Sequence, residues 1–413
     1  MTGVGPGSPL PGGPVRDDAA AIAADLAELR HRIHQEPEIG LDLPQTQQKV
    51  LGALDGLPLE LTLGRGLSSV TAVLRGGRPG RTVLLRGDMD ALPITERTGL
   101  GYASAVTGVM HACGHDLHTA MLAGAARILS ARRHELPGNV IFMFQPGEEG
   151  HAGARHMINE GVLDAAGERP VAAYALHVAS AQLGLGLVAT RAGSMMAAAD
   201  VLDVTVRGHG GHASQPHLAA DPIPAACEMV TALQTMVTRR FSVFDPVVIT
   251  VGSFHAGTTD NVIPDEAHFL ATVRSFSTAA RDQVRAASQR LVADIAAAHG
   301  LQASAEYLDE YPVTVNDAAE AAFAAQAAAD LFGDGRVLAQ PHPLPGAEDF
   351  SFVLEQVPGA FIMLGACPAG TDPATAPFNH AADAVFDDAA LADGTTLLAE
   401  LALRRLAAAG PPG

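Results

Sequence analysis

The sequence predicts an α/β protein: a catalytic domain on a mixed, mostly parallel sheet, interrupted by an inserted ferredoxin-like α+β domain. Three observations carry this. Short continuous apolar runs at residues 82–85, 140–144 and 172–176 read as strands buried on both faces, as in parallel sheets, with helical patterns between them. Each run stops at groups able to do chemistry: Asp88 and Asp90, Glu148 and Glu149, and His177. Functional side chains are expected there, beyond the carboxyl ends of the strands. From about residue 194 to 306 the order becomes β-α-β-β-α-β, a self-contained small domain.

Taken in order, residues 1–15 are rich in Gly and Pro and read as a disordered tail. Over 17–35, Ile22, Leu26, Leu29 and Ile33 fall on one helical face, and Asp17 and Asp18 stand where a helix N-terminus favours negative charge. Residues 70–74 and 82–85 are strands, 117–134 is an Ala-rich helix, and 140–144 and 172–176 are strands. Within the insertion, strands are expected at 201–206, 247–254, 268–274 and 301–308, with helices at 221–239 and 278–298. The first pattern then resumes with a helix near 317–331, another from Glu348, a strand at 361–364 and a closing helix at 387–406. The catalytic domain is therefore 16–193 with 307–413, and the insertion is 194–306.

A chain of 413 residues exceeds what one hydrophobic core usually organises. A formal charge of -19 argues against nucleic acid as a partner, since that calls for clustered Lys and Arg. No stretch approaches the ~18 apolar residues that span a membrane. Cys113, Cys227 and Cys367 are too few and scattered for a disulfide framework, which fits a reducing, cytoplasmic compartment.

The densest chemistry is Met110-His111-Ala112-Cys113-Gly114-His115-Asp116-Leu117-His118. Singly, each group has an ordinary explanation: Cys113 as a small buried hydrophobe, His177 as a hydrogen-bonded strand histidine, Glu148-Glu149 as a solvated turn. Jointly, Cys113, His115, Glu149, His177 and His380 offer a thiolate, three imidazoles and a carboxylate. That mixture suits zinc, manganese, cobalt or nickel, not calcium or magnesium. Five donors exceed the four of a closed structural site and suggest two divalent metal ions. Glu148, beside Glu149, is the candidate general acid/base. Asp90 is expected to accept a hydrogen bond from a ligating imidazole, with Asp88, Asp116 and His118 in similar supporting places. In the insertion, histidines in the Gly-rich stretch 207–213, the loop 257–261 and Arg274 could meet a ligand.

These motifs closely resemble the aminoacylase and carboxypeptidase-G type of dinuclear metallohydrolase. The nearest branch is the amidohydrolases, which include hippurate hydrolases and the plant hydrolases of indole-acetyl amino acids. The matching stretches are RGDMDALPI (86–94), MHACGHDLHTA (110–120), FQPGEEG (144–150), ALHV (175–178), GHGGHASQPHLAADPI (208–223), GTTDNVIPDEA (257–267), GAEDFSF (346–352) and NHAADAVFD (379–387). The resemblance implies metal ligation by Cys113, His115, Glu149, His177 and His380, and acid/base duty for Glu148. It further implies an inserted lid that dimerises the protein, an oxyanion-stabilising His212, and Asn261 and Arg274 on the substrate carboxylate. Gly87 and Ala271 depart from the pattern. The implied reaction is hydrolysis of the amide of a small N-acyl amino acid. Alternatives are a dipeptidase or carboxypeptidase of the same fold, a Cys113-based thiol amidase, and a catalytically silent metal-binding homologue.

Overall fold

The computed structural model describes Leu10 and residues 12–409, and contacts divide the chain into two compact units. The first comprises the chain up to Gly193, Val315–Pro341 and everything from Phe352. The second is Ser194–Thr314 with His342–Ser351. The sequence had assigned 307–314 and 342–351 to the catalytic part. The strand Gln302–Tyr311 runs past that expected boundary because it pairs along its length with Ala198–Arg207.

The first unit is built on an eight-stranded sheet. Its order is Leu59–Leu63, Val70–Arg75, Pro137–Gln145, Arg78–Asp88, Ala172–Ala179, Gly359–Gly365, Val188–Thr190 and Val337–Ala339. Pro137–Gln145 through Gly359–Gly365 are mutually parallel, and antiparallel strands flank them. The parallel strands are almost wholly buried, as their unbroken apolar runs require. Their register places Asp88 opposite Gln145, and His177 opposite Met363, so their carboxyl ends share one edge.

The helix His115–Ala131 packs against Ala23–Gln35, Ala390–Ala409 and the strand Arg78–Asp88. Nearly all its residues are buried, and its Ala content allows that close approach. The run at 17–35 forms two helices, Val15–Ala21 and Ala23–Gln35, broken at Ile22 (ψ 3°), while Ile22, Leu26, Leu29 and Ile33 face the core as expected. Strand Leu59–Leu63 was not anticipated although its Leu-Glu-Leu-Thr-Leu sequence alternates with period two; Leu61 and Leu63 are exposed at the sheet edge. The helix from Glu348 is a single turn, Ser351–Leu354. Of the expected disordered tail, residues 1–9 and 11 lie outside the described residues. Gly12 donates to Asp18, Arg132 donates to the Gly13 carbonyl and Val15 is buried, so the last part is held.

The second unit has the order Val247–Ala256, Glu266–Ser275, Ala198–Arg207, Gln302–Tyr311, all antiparallel, with helices Pro222–Arg240 and Thr278–Ala298. This is the ferredoxin-like connectivity expected. Every second residue of 202–206 and 267–273 is buried against the helices. Asp221 and Ser277 cap the two helices by accepting from Ile223 N and Ala280 N.

Phe142, wholly buried at the centre of the large sheet, tests this core. Phe142→Ala should cost the first unit about 3–5 kcal/mol, read from its urea transition. An unmoved transition would mean that this sheet is not where that unit's stability resides.

Candidate metal centre

The five expected ligands converge, and Gly114 is the reason two of them can. It adopts φ +84° ahead of the helix, and a Cβ there would lie 2.4 Å from Val178 Cγ2. Only glycine tolerates both that conformation and that contact. The turn brings Cys113 and His115 together with His177, their donor atoms all within 4.8 Å of one another. Cys113 Sγ is 3.4 Å from His177 Nε2 and 3.3 Å from His380 Nε2, and His380 Nε2 is 3.1 Å from Glu149 Oε1. Two three-donor groups result, Cys113/His115/His177 and Cys113/Glu149/His380, with Cys113 common to both. Glu148 joins His115 and Glu149 in a further group.

Hydrogen bonds fix which ring nitrogens can face a cation. His115 Nδ1 is 2.8 Å from the Asp90 carbonyl and His177 Nδ1 is 2.9 Å from the Val178 carbonyl. A carbonyl only accepts, so both Nδ1 atoms carry the proton and both Nε2 atoms keep a lone pair. His115 Nε2 is buried with no hydrogen-bond partner, and the buried Glu149 Oε1 has His380 Nε2 beside it at 3.1 Å. Such atoms are costly without a partner, and a divalent cation is one. The donor set therefore fits the metals expected.

The groups behind the ligands differ from expectation at Asp90. Its carboxylate accepts the amides of Glu148 (3.0 Å) and Glu149 (2.9 Å), and its main-chain carbonyl, not its side chain, takes the close bond from the His115 imidazole. Asp88 pairs with Arg86 at 2.6 Å and with His118 Nδ1 at 2.5 Å. His118 Nε2 accepts from Val178 N at 2.8 Å. With both nitrogens used, His118 has no lone pair to offer a metal, although it lies near Asp88 and His115. Gly87 lets the His118 carbonyl approach: a Cβ there would stand 2.8 Å from it.

Asn379, beside His380, is a loop hydrogen-bonder, as a short polar side chain there is expected to be: it accepts from Ser180 N and donates to the Cys113 and Val178 carbonyls. His380 itself sits at φ +72°, a left-handed conformation that costs a non-glycine residue roughly 1–3 kcal/mol.

Electrostatics follow from burial and from these contacts. Hydrogen bonds to Cys113 and Glu149 push His380 up to about 10. Burial opposes charge on His115, yet Asp88 and Cys113 hold it well above the usual range. A cation displaces such protons, so metal affinity should rise with pH. Burial alone is the main cause holding His111 down at about 3, so it is neutral. Burial also opposes charge on His34, but Asp116 at 2.9 Å and Glu96 at 3.3 Å raise it to about 9.

The second unit carries the remaining candidates. Ser214 N and Oγ approach His212 Nδ1 at 3.2 and 2.9 Å; the amide can only donate, so Nε2 bears the proton. His212 and Asn261 line one concavity of about 490 Å³ with Gly210 and Asp265. Arg274 does not line it; its guanidinium donates to Thr272 Oγ1 and the Val273 carbonyl.

The model of Peptidase family M20/M25/M40 matches residues 84–404. The chain belongs to this family. It is 36% identical over 384 residues to an N-acetylcysteine deacetylase of Bacillus subtilis (strain 168), covering 93% of this chain and 97% of that protein. It is 35% identical over 385 residues to the IAA-amino acid hydrolase ILR1-like 4 of Arabidopsis thaliana, covering 92% and 86%. Among solved structures, it resembles the YXEP protein of Bacillus subtilis, described as a dinuclear metal binding peptidase from the M20 family. That match has a TM-score of 0.80 at 33% identity, over 94% of this chain and 99% of that one. The resemblance read from the motifs holds, and the protein is a metal-dependent hydrolase of amide bonds. No helix among the described residues is long and apolar enough to cross a membrane.

Two outcomes test the site's scaffolding. Asp90→Asn keeps one acceptor oxygen for two amides, and should lower kcat about 10- to 100-fold in a folded protein; full activity would remove Asp90 from the positioning of Glu148. His34, raised from 6.5 to about 9, contributes stability that is complete below pH 6.5 and lost as pH rises through about 9. Urea unfolding should show a loss on the order of 3 kcal/mol across that window in the wild type, absent in His34→Gln. Equal slopes in both proteins would contradict it.

Proposed function

We propose that the protein hydrolyses the amide joining an acyl group to the nitrogen of a small amino acid. Cys113, His115, Glu149, His177 and His380 would hold two divalent cations of the zinc, manganese, cobalt or nickel type. When bound, such ions polarise a carbonyl and make water more acidic. The observation that carries the reading is Glu148: 6% exposed, its amide fixed on Asp90, its carboxylate grouped with His115 and Glu149.

Glu148 takes the proton of the attacking water and passes it to the departing amine. The Nε2–H of His212 donates to the carbonyl oxygen as charge develops there, in its own chain or toward a second copy. Asn261 supplies an amide, and Arg274 a bidentate guanidinium, for the substrate's free carboxylate. Two similar proteins, a deacetylase of N-acetylcysteine and a hydrolase of an IAA-amino acid, support this substrate class. A homodimer through the inserted unit belongs to the same reading, supported by the outer strand Val247–Ala256, which leaves Val248 and Phe254 exposed. Three free cysteines, one of them a ligand, favour the cytoplasm.

The test is a hydrolysis screen of N-acetyl, N-benzoyl and longer N-acyl amino acids with added manganese, cobalt or zinc. Chelation should abolish turnover and re-addition restore it, whereas a thiol amidase at Cys113 would survive chelation. Glu148→Gln should lose at least ~10²-fold to 10⁴-fold in kcat while keeping its metal content; near-normal turnover in that variant would overturn the assignment.

A further inference from the structure

We propose that Arg30 is a positioning residue for the metal centre. Its buried guanidinium clamps the segment bearing Cys113 and His115 to the segment bearing His380, and so sets the gap that Cys113, Glu149 and His380 span. This rests on the two-metal reading above.

Arg30 lies on the helix Ala23–Gln35, remote in sequence from every ligand, and is 0% exposed. Its Nε donates to Asp116 Oδ2 at 3.0 Å, and Asp116 directly follows His115. Its Nη1 donates to the Phe386 carbonyl at 3.0 Å and to Asp388, at the far end of the loop that starts at His380. The Phe386 ring packs on the Cys113-Gly114 turn: a Cβ on Gly114 would lie 3.1 Å from it. One side chain therefore grips both partners of a contact that decides where Cys113 and His380 stand.

The strain at His380 shows why a clamp is needed. A non-glycine residue at φ +72° persists only where its surroundings over-determine it. Two local bonds help, His380 N to the Ala112 carbonyl at 2.8 Å and Asn379 Nδ2 to the Cys113 carbonyl at 3.2 Å. Arg30 supplies the third tie, and the fork of a guanidinium can serve divergent acceptors that a lysine ammonium on a flexible stem cannot. His34 also holds Asp116, but its other partner is Glu96, so it does not reach the His380 segment. His115 and His177 are secured separately, by the Asp90 carbonyl and by the Val178–His118–Asp88 chain. Loss of Arg30 should therefore loosen one cation far more than the other.

The experiment is equilibrium dialysis of the full chain against cobalt, with bound metal counted. The wild type should hold two ions. Arg30→Lys should keep one affinity within about twofold and weaken the other roughly 10- to 100-fold, the ion weakened being the one lost in His380→Ala. Asp388→Asn, a milder change that keeps one acceptor oxygen but removes the charge facing Arg30 and His31, should weaken the same ion by less, and serves if Arg30→Lys fails to fold. Arg405→Lys, which disturbs the Arg405–Glu320 pair, controls for general destabilisation and should leave the ratio of affinities unchanged. Two unaltered affinities in folded Arg30→Lys and Asp388→Asn would overturn the proposal. So would a parallel loss of both ions that Arg405→Lys reproduces. Fewer than two ions in the wild type would overturn the two-metal reading and this one with it.

Discussion

Asp90 is the point on which the metal-bearing edge depends. A carboxylate 1% exposed must have its charge answered, and here two consecutive backbone amides answer it, those of Glu148 and Glu149. The same residue's carbonyl orients His115. One strand end therefore fixes a proposed ligand on the helix His115–Ala131, a proposed ligand after the strand Pro137–Gln145, and the candidate acid/base between them. Two residues earlier, Asp88 joins Arg86, His118 and, through His118, the amide of Val178 beside His177. The parallel register makes this economical: three neighbouring strands end together, so short polar side chains can bridge them.

Much of this was legible in the residues because burial writes a strong pattern. The parallel strands are continuous apolar runs, and the inserted unit alternates with period two, so both parts of the fold could be read. Glu149 and His177 stood out by residue type and by position at strand ends, Cys113 and His115 by the density of donors in one short stretch, and His380 through the matching stretch 379–387. What could not be read was set by contacts between distant segments. Nothing local tells that Asp90 spends its carboxylate on the amides of 148 and 149, or that Arg30 reaches both Asp116 and Phe386. The edge strand Leu59–Leu63 does alternate in sequence, but Leu61 and Leu63 are exposed, so that alternation marks no buried face.

Cys113 joins the two donor groups, and this bears on how its thiol is understood. A cysteine flanked by histidines could be a nucleophile. Here Sγ lies between His177 Nε2 and His380 Nε2, and both histidines come from other segments, the first with its lone pair directed by a hydrogen bond to Val178. A thiolate so placed is suited to share two cations and has little freedom to attack a carbonyl. The strained backbone at His380 and the obligatory glycine at 114 are the local costs of bringing that sulfur and that imidazole together.

The proposed centre places Cys113 in the donor groups of both cations. Cobalt(II) replacing the native metal tests it most directly, because thiolate ligation gives a near-ultraviolet charge-transfer band and a shared ligand couples the two spins. The expected result is two cobalt ions per chain, a band absent in Cys113→Ala, and a magnetic moment below that of two independent ions. Two magnetically independent ions, or a band that is complete after the first equivalent and insensitive to the second, would contradict it.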